Sequence, residues 1–350
     1  KELAMGLIDS PEALTYIGVF DSLNWLTKHN SRLSIPKEGD LEENIKKLEE
    51  SLITLYKYEN SKLSDTQKNT KKIAIFDNEN NLKQLKEFPN HDYPLNQIGG
   101  IHLNTIQFMS DMHPIRNISE AKDFISRANL IKQVYQGTLQ DLQKQANAGI
   151  FPPEFVYEHV INQLDEFINF DYAEHPLFTQ FMKKVKGLDI EEGQKLILEK
   201  EIKDAIDNSV TPGFLLLKDF MVQTQKKANK NHGIWSQPNG DEYYKLRIRS
   251  YTTTDYTPEE IHQMGLNEVD RISKRMKEIL NQLGYDKNKS VGELMNELNE
   301  NPDFLYADTP DRKDVVVNDY MKMVNEAIEV MDNYFHTMPK SEVIVKAIPE

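Results

Sequence analysis

The stretch from Gly233 to Leu283 carries the clearest local signals in the chain, and its first part reads G-I-W-S-Q-P-N-G-D-E-Y-Y-K-L-R-I-R-S-Y-T-T-T-D-Y-T-P-E-E-I-H-Q-M-G-L-N-E-V-D-R-I. Thr257 suits a helix N-cap, Pro258 suits the first turn, and Glu260 completes a capping box. Apolar residues then follow at helical spacing along one stripe: Ile261, Met264, Val269, Ile272, Met276, Ile279, Leu280 and Leu283. The pattern predicts an amphipathic helix of roughly seven turns.

Glu268 interrupts this apolar stripe, at a position where an apolar residue is expected. A carboxylate buried there must find partners or become protonated, because burying an isolated charge is too costly. We therefore expect Glu268 to be largely buried and held by Arg247, Arg249 or a nearby tyrosine. A structural ion pair and a carboxylate that faces a substrate cleft both fit this pattern.

The segment just before the long helix supplies cations and aromatic rings. Asn239 to Glu242 resembles a capping box, which favours a short helix from Asp241 to Tyr251 over a strand. A helix would place Tyr244, Arg247, Ile248 and Tyr251 on one face, whereas a strand would align Tyr243, Lys245, Arg247, Arg249 and Tyr251. Either conformation brings two arginines and three tyrosines ahead of Glu268. A solvated basic face with aromatic packing is the alternative to a binding site.

Several motifs follow one another along the chain in a characteristic order. The most specific are G-x-W-x-x-P-x-G-x-x-Y-Y from Gly233 and T-T-T-x-x-T-P-E-E-I-H-x-x-G-L-x-E-V ending at Val269. Fainter ones are Pro11-Glu12 with Leu14-Thr15-x-x-Gly18, the run Tyr93-Pro94-Leu95-Asn96-Gln97, and Ala148-Gly149-Ile150-Phe151-Pro152-Pro153. In this order they resemble the DUF885 family of bacterial proteins. Members are commonly secreted or lipid-anchored and resemble helical zinc metallopeptidases of the gluzincin type.

The resemblance implies a zinc-dependent, peptidase-like hydrolase, but the zinc motif of that family lies C-terminal to the motifs found here. A zincin needs two helix-borne histidines with a general-base glutamate beside them. None of the nine histidines precedes a glutamate: His29, His91, His102, His113, His159, His175, His232, His262 and His336. We therefore expect the N-terminal, cleft-forming part of a longer enzyme, with the metal motif beyond residue 350. Zinc is expected in the full-length protein, whereas residues 1–350 alone should bind no stoichiometric zinc and hydrolyse no peptide.

Composition bounds the class of protein further. A chain that is 39% hydrophobic and 28% charged can bury a core, and its net charge of −14 argues against nucleic acids and anionic membranes as main partners. The lack of cysteine excludes disulfides and thiolate metal sites, and no apolar run reaches the length of a membrane span. The first residue is Lys1 rather than Met. We therefore expect that an upstream segment has been removed. A signal or lipoprotein peptide would fit the resemblance, although the sequence does not show one, and the resemblance implies an extracytoplasmic protein, periplasmic or lipid-anchored.

Helical periodicity in nearly every long segment predicts an all-α, layered array of helices in a single large domain, residues 1–350. The long helix after Ser119 should bury Phe124, Ala128, Ile131, Tyr135 and Leu142, and a later helix pair should break near Ser209. The polar segment 57–72 is predicted to be a mobile connection or a helix end and not a site, and residues 73–76 suit either a short strand or a helix start. The only convincing strand is Val343–Ile348, with β-branched residues in rough alternation.

The candidate substrate-binding residues are Tyr243, Tyr244, Arg247, Arg249, His262, Glu268, Val343 and Val345. Cations can hold a substrate carboxylate, and in the related metallopeptidases an edge strand pairs with an extended peptide. His262 lies at the edge of the apolar stripe, where a hydrogen-bonded packing residue is favoured over a ligand. The expected substrate is a peptide or small molecule, with no catalytic or metal-ligating residue within the chain. The alternative is a non-catalytic helical binding module or envelope scaffold.

Overall fold

Helices provide the regular structure of this protein in a computed structural model that describes residues 10–18, 20–228 and 230–346. Short 3-10 and π turns join or extend the α-helices, and this described part of the chain contains no strand element. The all-α prediction is therefore confirmed.

The chain divides into two compact units at the junction of Thr257 and Pro258, where a single domain was predicted. The helices of the first unit are α1 (Pro11–Ile17), α2 (Asn24–Thr27), α3 (Asp40–Lys57), α4 (Asp65–Glu87), α5 (Ile101–Gln107), α6 (Ile118–Asn147), α7 (Glu154–Asn169), α8 (Pro176–Lys186), α9 (Glu192–Ala205), α10 (Thr211–Thr224) and α11 (Gly240–Thr252). Those of the second unit are α12 (Pro258–Gln282), α13 (Val291–Glu300) and α14 (Arg312–Met331).

The longest helix, α6, forms the centre of the first unit. Its predicted inner face is confirmed, because Phe124, Ala128, Ile131, Tyr135 and Leu142 are all buried. Helices α9 and α10 pack against it, and α10 also packs on α7. Gly213 permits the close approach of α10, since a Cβ at this position would lie 2.9 Å from the Tyr135 ring. The core of this unit is thus a layered helical array built around α6.

A π turn, Ile206–Val210, connects α9 to α10 at the predicted break near Ser209. The Ser209 hydroxyl accepts the N–H of Lys132 (3.1 Å) and donates to the carbonyl of Asn129 (3.0 Å). These bonds fix the irregular turn against α6, so the helical path bends without leaving its backbone groups unsatisfied.

Helices α3 and α4 form an antiparallel hairpin where a mobile connection was predicted over residues 57–72. The connection is short, with a 3-10 turn at Asn60–Lys62, and α4 already begins at Asp65. Ser64 and Gln67 form a capping box at its start, which explains why a polar sequence starts a helix here. Residues 73–76, which could have been a strand, lie inside α4.

The predicted strand at Val343–Ile348 is wrong for the residues that the structure describes. Residues 342–346 are coil without strand pairing, and residues 347 and 348 lie outside the described part. A strand is stable only when its backbone groups pair with a neighbour, and the described helices offer no sheet edge. β-branched composition alone therefore did not make a strand.

Candidate functional site

Two arginines that the sequence suggested as substrate-binding residues instead dock α11 onto α4. Arg247 Nη1 donates to Gln84 Oε1 at 3.1 Å, and Arg249 Nη1 donates to Asn80 Oδ1 at 2.5 Å. The Arg249 guanidinium also lies over the ring of Phe76, 4.8 Å from its centroid. Both guanidinium groups therefore have neutral partners on α4, more than 160 residues away in sequence.

Tyr243 anchors the same helix on the loop that follows α4. Its hydroxyl donates to Asp92 Oδ1 at 2.8 Å, and Gln84 Nε2 donates to Asp92 Oδ2 at 2.7 Å. Its ring packs against Phe88 and His91, with centroid distances of 5.5 and 4.8 Å. Burial, reinforced by the Asp92 carboxylate, raises the pKa of Tyr243 above its ordinary value. The phenol therefore stays protonated and acts as a hydrogen-bond donor.

Gln237 ties together three of the motifs that resemble the DUF885 family. Its Nε2 donates to the carbonyl of Phe151 at 2.6 Å and to the Tyr93 hydroxyl at 2.9 Å, while its Oε1 accepts the Phe151 N–H at 3.3 Å. Burial raises the pKa of Tyr93 to about 12. One buried amide thus connects the W-x-x-P motif to the Y-P-L-N-Q and A-G-I-F-P-P motifs.

Two further side chains complete this connection. Gln145, near the end of α6, donates from Nε2 to the carbonyls of Asn90 (2.8 Å) and Asp92 (2.6 Å). His91 Nε2 donates to the carbonyl of Pro238 at 2.7 Å. We call the meeting place of segments 88–97, 148–153 and 233–240 the loop junction. It brings together motifs that are separated by up to about 150 residues.

The glycines of the G-x-W-x-x-P-x-G motif have a steric explanation at the loop junction. A Cβ on Gly233 would collide with the indole ring of Trp235, which folds back over the backbone. A Cβ on Gly240 would collide with the carbonyl of Ile234. Neither glycine has a positive φ in this structure, so close packing rather than backbone conformation requires them.

A small, mostly apolar cleft opens beside the loop junction, at the C-terminal end of α6. It is lined by Leu95, Leu142, Gln145, Ala146, Ile150, Phe151, Pro152, Tyr157, Phe220 and Met221. The polar side chains in this lining are Gln145 and Tyr157. The Gln145 amide nitrogen already donates to two backbone carbonyls of the loop junction. The space inside it is about 10 Å³, which is room for roughly one methyl-sized apolar group, and the lining offers little to orient a charged one.

A second polar cluster, which we call the Arg127 cluster, lies towards the other end of α6. Arg127 is fully buried, and its guanidinium donates to Thr15 Oγ1 (2.6 Å), to the carbonyls of His29 (2.8 Å) and Arg32 (2.8 Å), and to His113 Nδ1 (2.8 Å). It also lies near the Pro11 carbonyl and over the Phe108 ring. Burial lowers its pKa to about 10. The Pro11–Gly18 motif thus contributes Thr15 as an acceptor for a buried cation.

His113 is held in its neutral form by this cluster. A guanidinium can only donate, so His113 Nδ1 accepts, and its Nε2 therefore donates to the Glu120 carbonyl at 3.1 Å. Burial, assisted by the nearby Arg127 charge, lowers the pKa of His113 to about 3. His29 faces Asp21 at 3.7 Å in the same region, and burial lowers its pKa as well.

The prediction that Glu268 is largely buried is wrong. Its side chain is 57% exposed and pairs with Arg271 at 2.7 Å, one turn along α12. The predicted helix exists as Pro258–Gln282, yet most of its apolar stripe is exposed and only Leu280 is buried. The expected partners Arg247 and Arg249 bind Gln84 and Asn80 instead. The apolar stripe therefore did not mark a buried environment for the carboxylate.

The remaining candidate residues lie at the surface. Tyr244 and Tyr251 are 46% and 78% exposed, and Arg247 Nη2 donates to the Tyr251 hydroxyl at 2.9 Å. His262 is exposed, Val343 is 46% exposed and Val345 is partly buried. The structure thus brings Tyr243, Arg247 and Arg249 together on α11, while no described strand presents Val343 and Val345.

The described residues do not fit a catalytic zinc ion. No group of three His, Asp or Glu side chains converges in a way that could hold a metal in ranges 10–18, 20–228 and 230–346. His102 hydrogen-bonds to Gln163, and His113 already accepts from a guanidinium. A zinc ligand set would have to include residues from outside this part of the chain.

Sequence reasoning missed the residues that organise both clusters. Gln145, Gln237, Asp92 and Arg127 belong to no periodic pattern, and their partners are 50 to 150 residues away. The sequence still held one signal for Gln237, since it lies within the G-x-W-x-x-P-x-G motif. It held none for Arg127.

These features define an all-α protein whose distinctive motifs are mutually bonded. The chain belongs to the family described as "Bacterial protein of unknown function (DUF885)", whose model matches residues 11–350. No curated protein matches it significantly. No helix of the described residues is long and apolar enough to cross a membrane.

Two solved structures share the fold. A "putative lipoprotein" from Colwellia psychrerythraea superposes with a TM-score of 0.86 at 24% identity, covering 99% of this chain and 62% of that one. A "putative lipoprotein of unknown function" from Shewanella oneidensis gives a TM-score of 0.59 at 14% identity, covering 97% of this chain and 60% of that one. The chain therefore spans less than two thirds of the length of either protein.

Proposed function

We propose that residues 1–350 form the cleft-bearing helical part of a zinc-dependent, peptidase-like hydrolase, and that the metal ligands lie outside these residues. The observation that carries this proposal is the junction of three motif segments beside one apolar cleft, which two of them, 88–97 and 148–153, help to line. Motifs that only maintain a fold can be scattered, whereas these meet beside a concave surface at the end of α6. The chain would contribute the wall that receives an apolar part of a peptide or small-molecule substrate.

The direct test compares the full-length protein with residues 1–350. The full-length protein should contain zinc, measured by atomic emission, and should hydrolyse peptides from a mixed library. Residues 1–350 should do neither. Tight one-to-one zinc binding by residues 1–350, lost on mutating their own histidines, would contradict the assignment of the metal site.

A pair of matched variants tests the cleft itself in the full-length protein. Ala146→Leu adds bulk to the lining of the cleft, whereas Ala327→Leu adds the same bulk at an exposed position on α14. Ala146→Leu should raise KM with zinc content unchanged, and Ala327→Leu should leave both unchanged. Equal kinetics in the two variants would show that the cleft does not meet substrate.

The alternative is a non-catalytic helical binding module or envelope scaffold. It is favoured by the engagement of Arg247 and Arg249 with α4, because the cations expected to hold a substrate carboxylate have a structural task. A full-length protein that binds no metal and hydrolyses no peptide would select this alternative.

We also propose an extracytoplasmic location, periplasmic or lipid-anchored. The support is the resemblance to a family that is commonly secreted, together with the description of both structural neighbours as lipoproteins. Fractionation of the native host with an antibody, combined with metabolic labelling by a fatty acid, tests this. Recovery of the full-length protein in the cytosol without label would contradict it.

A further inference from the structure

The outer end of the α3–α4 hairpin, residues 53–73, combines lysines with exposed apolar side chains. We call it the hairpin tip. None of its residues is buried, and its exposed apolar side chains are Ile53, Tyr56, Tyr58 and Ile73, each between 54% and 62% exposed. Exposed apolar side chains occur elsewhere on the unit too, so the feature that distinguishes the tip is their combination with lysines.

The charges of the hairpin tip contrast with those of the whole chain. It holds five lysines and two acids, a net charge of +3, whereas the complete chain carries −14. Both acids are already paired, Glu59 with Lys62 and Asp65 with Lys68, each at 2.9 Å. The charge of the other three lysines, Lys57, Lys71 and Lys72, is not neutralised by a described carboxylate.

Tyr58 and Lys71 are held in place by the turn. Lys71 Nζ donates to the carbonyl of Tyr58 at 2.7 Å and to Asn60 Oδ1 at 3.2 Å. The lysine therefore fixes the turn and keeps its charge at the backbone of the exposed Tyr58. Lysines and tyrosine presented together at one end of a rigid element match the headgroup region of a bilayer, where aromatic rings and cations both partition.

The hairpin projects this charge away from the acidic remainder of the unit. Its contact with α11 runs through Gln84, Asn80 and Phe76, and α4 continues from Phe76 back to Asp65. That continuation is roughly 17 Å of helix. One carboxylate outside the tip, Glu79, accepts a hydrogen bond from the Tyr56 hydroxyl at 2.5 Å. Electrostatic screening acts over about 8 Å at physiological ionic strength, so a surface at the turn experiences the lysines more than the acids that lie beyond Glu79.

We propose that the hairpin tip docks the protein on an anionic phospholipid surface. The lysines attract the headgroups, and Tyr58 with Ile73 enters the interface beside them. This contact is separate from the proposed cleft and from any covalent lipid, and it would orient the first unit relative to the bilayer. Each lysine near an anionic surface strengthens binding roughly fivefold, so a pair accounts for roughly twentyfold.

The test uses residues 1–350 without lipid and measures co-sedimentation with vesicles at low salt. Wild-type protein should bind vesicles of phosphatidylglycerol and phosphatidylcholine in equal parts, should not bind phosphatidylcholine alone, and should dissociate as salt is added. Lys57→Gln combined with Lys72→Gln should weaken binding at least about tenfold. Tyr58→Ser should weaken it as well.

The matched control is Lys183→Gln combined with Lys186→Gln, which removes the same charge from exposed positions on α8. It should bind like the wild type, and circular dichroism should show that all variants fold. Equal weakening by both lysine pairs would overturn the proposal, because binding would then follow net charge alone. Absence of wild-type binding to anionic vesicles would also overturn it and leave an acidic protein as the partner of the tip.

Discussion

Two polar clusters attach other segments of the chain to helix α6, one through a buried cation and the other through neutral amides. In its first half, the fully buried guanidinium of Arg127 binds four neutral acceptors from three segments of the chain. About 27 Å further along, Gln145 and Gln237 gather loops with neutral amides. The charged end has no carboxylate within ion-pair distance of Arg127 among the described residues, whereas the neutral end lies beside a cleft.

The Arg127 cluster and the loop junction should therefore differ in how much change they tolerate. A buried cation satisfied only by dipoles is tolerated when every donor has a partner, because each missing partner costs a full desolvation penalty. Neutral amides tolerate partial solvent and small displacements at lower cost. We therefore expect the Arg127 cluster to set stability and the loop junction to set the shape of the cleft.

Arg127→Met should produce the largest loss of stability. It removes the donor from Thr15, His29, Arg32 and His113 at once and leaves these buried acceptors unsatisfied. The loss should be at least about 3 kcal/mol in the free energy of unfolding, measured by urea denaturation. Arg127→Lys keeps the charge but not the planar fork and should also destabilise. A loss below about 1 kcal/mol for Arg127→Met would mean that the cluster does not set the stability of the protein.

Acidification should weaken the same cluster through His113. The unfolded histidine has an ordinary pKa of 6.5, whereas burial beside Arg127 lowers the folded pKa to about 3. Because the folded state binds the proton less readily, its contribution is complete above pH 6.5 and is lost as pH falls towards 3. The loss should reach on the order of 2 kcal/mol or more at the acid end. His113→Gln should flatten this part of the stability profile, and an unchanged slope would contradict the assignment.

Gly240→Ala should be the most damaging change at the loop junction. The added methyl would collide with the carbonyl of Ile234, so the W-x-x-P segment must move, at a cost of roughly 2 kcal/mol. Gly193→Ala is the matched control, because this helical glycine has nothing within 4 Å of the added methyl. It should be neutral or stabilise by about 0.5–1 kcal/mol. Equal effects of the two variants would remove the steric explanation of the motif.

Gln237→Ala should cost less, about 1–2 kcal/mol, because the loop can admit water where the amide was. It releases Phe151 and Tyr93 from a common partner. If the junction shapes the cleft, this variant should also raise the KM of the proposed peptide hydrolysis by the full-length protein more than Gly193→Ala does. Thermal unfolding and steady-state kinetics measure the two effects separately. Lower stability with unchanged KM would restrict the junction to a structural role.

The sequence predicted local features well and long-range pairing poorly. Periodicity located the buried face of α6 and the extent of α12, because both depend on residues three or four positions apart. It could not assign partners to Arg247, whose acceptor Gln84 is 163 positions away and belongs to no motif. It also could not tell that the apolar stripe of α12 would remain largely exposed, since a stripe identifies a face and not what covers it. Val343 and Val345 show the same limit, because a strand exists only where another strand pairs with it.

Glu268→Gln provides the smallest expected effect and tests the corrected view of α12. Its carboxylate is exposed, and Arg271 beside it lowers its pKa below the usual value through a solvated pair on the same helix. Solvent screens such a pair, so Glu268→Gln should leave the denaturation midpoint unchanged. The matched variant is Glu120→Gln, which also breaks an arginine pair on a helix, but with a carboxylate that is only 12% exposed. Glu120 additionally accepts the Arg116 N–H, so its loss should lower the midpoint measurably. If Glu268→Gln were as damaging as Glu120→Gln, the carboxylate would have a buried partner in the full-length protein, as the apolar stripe first suggested.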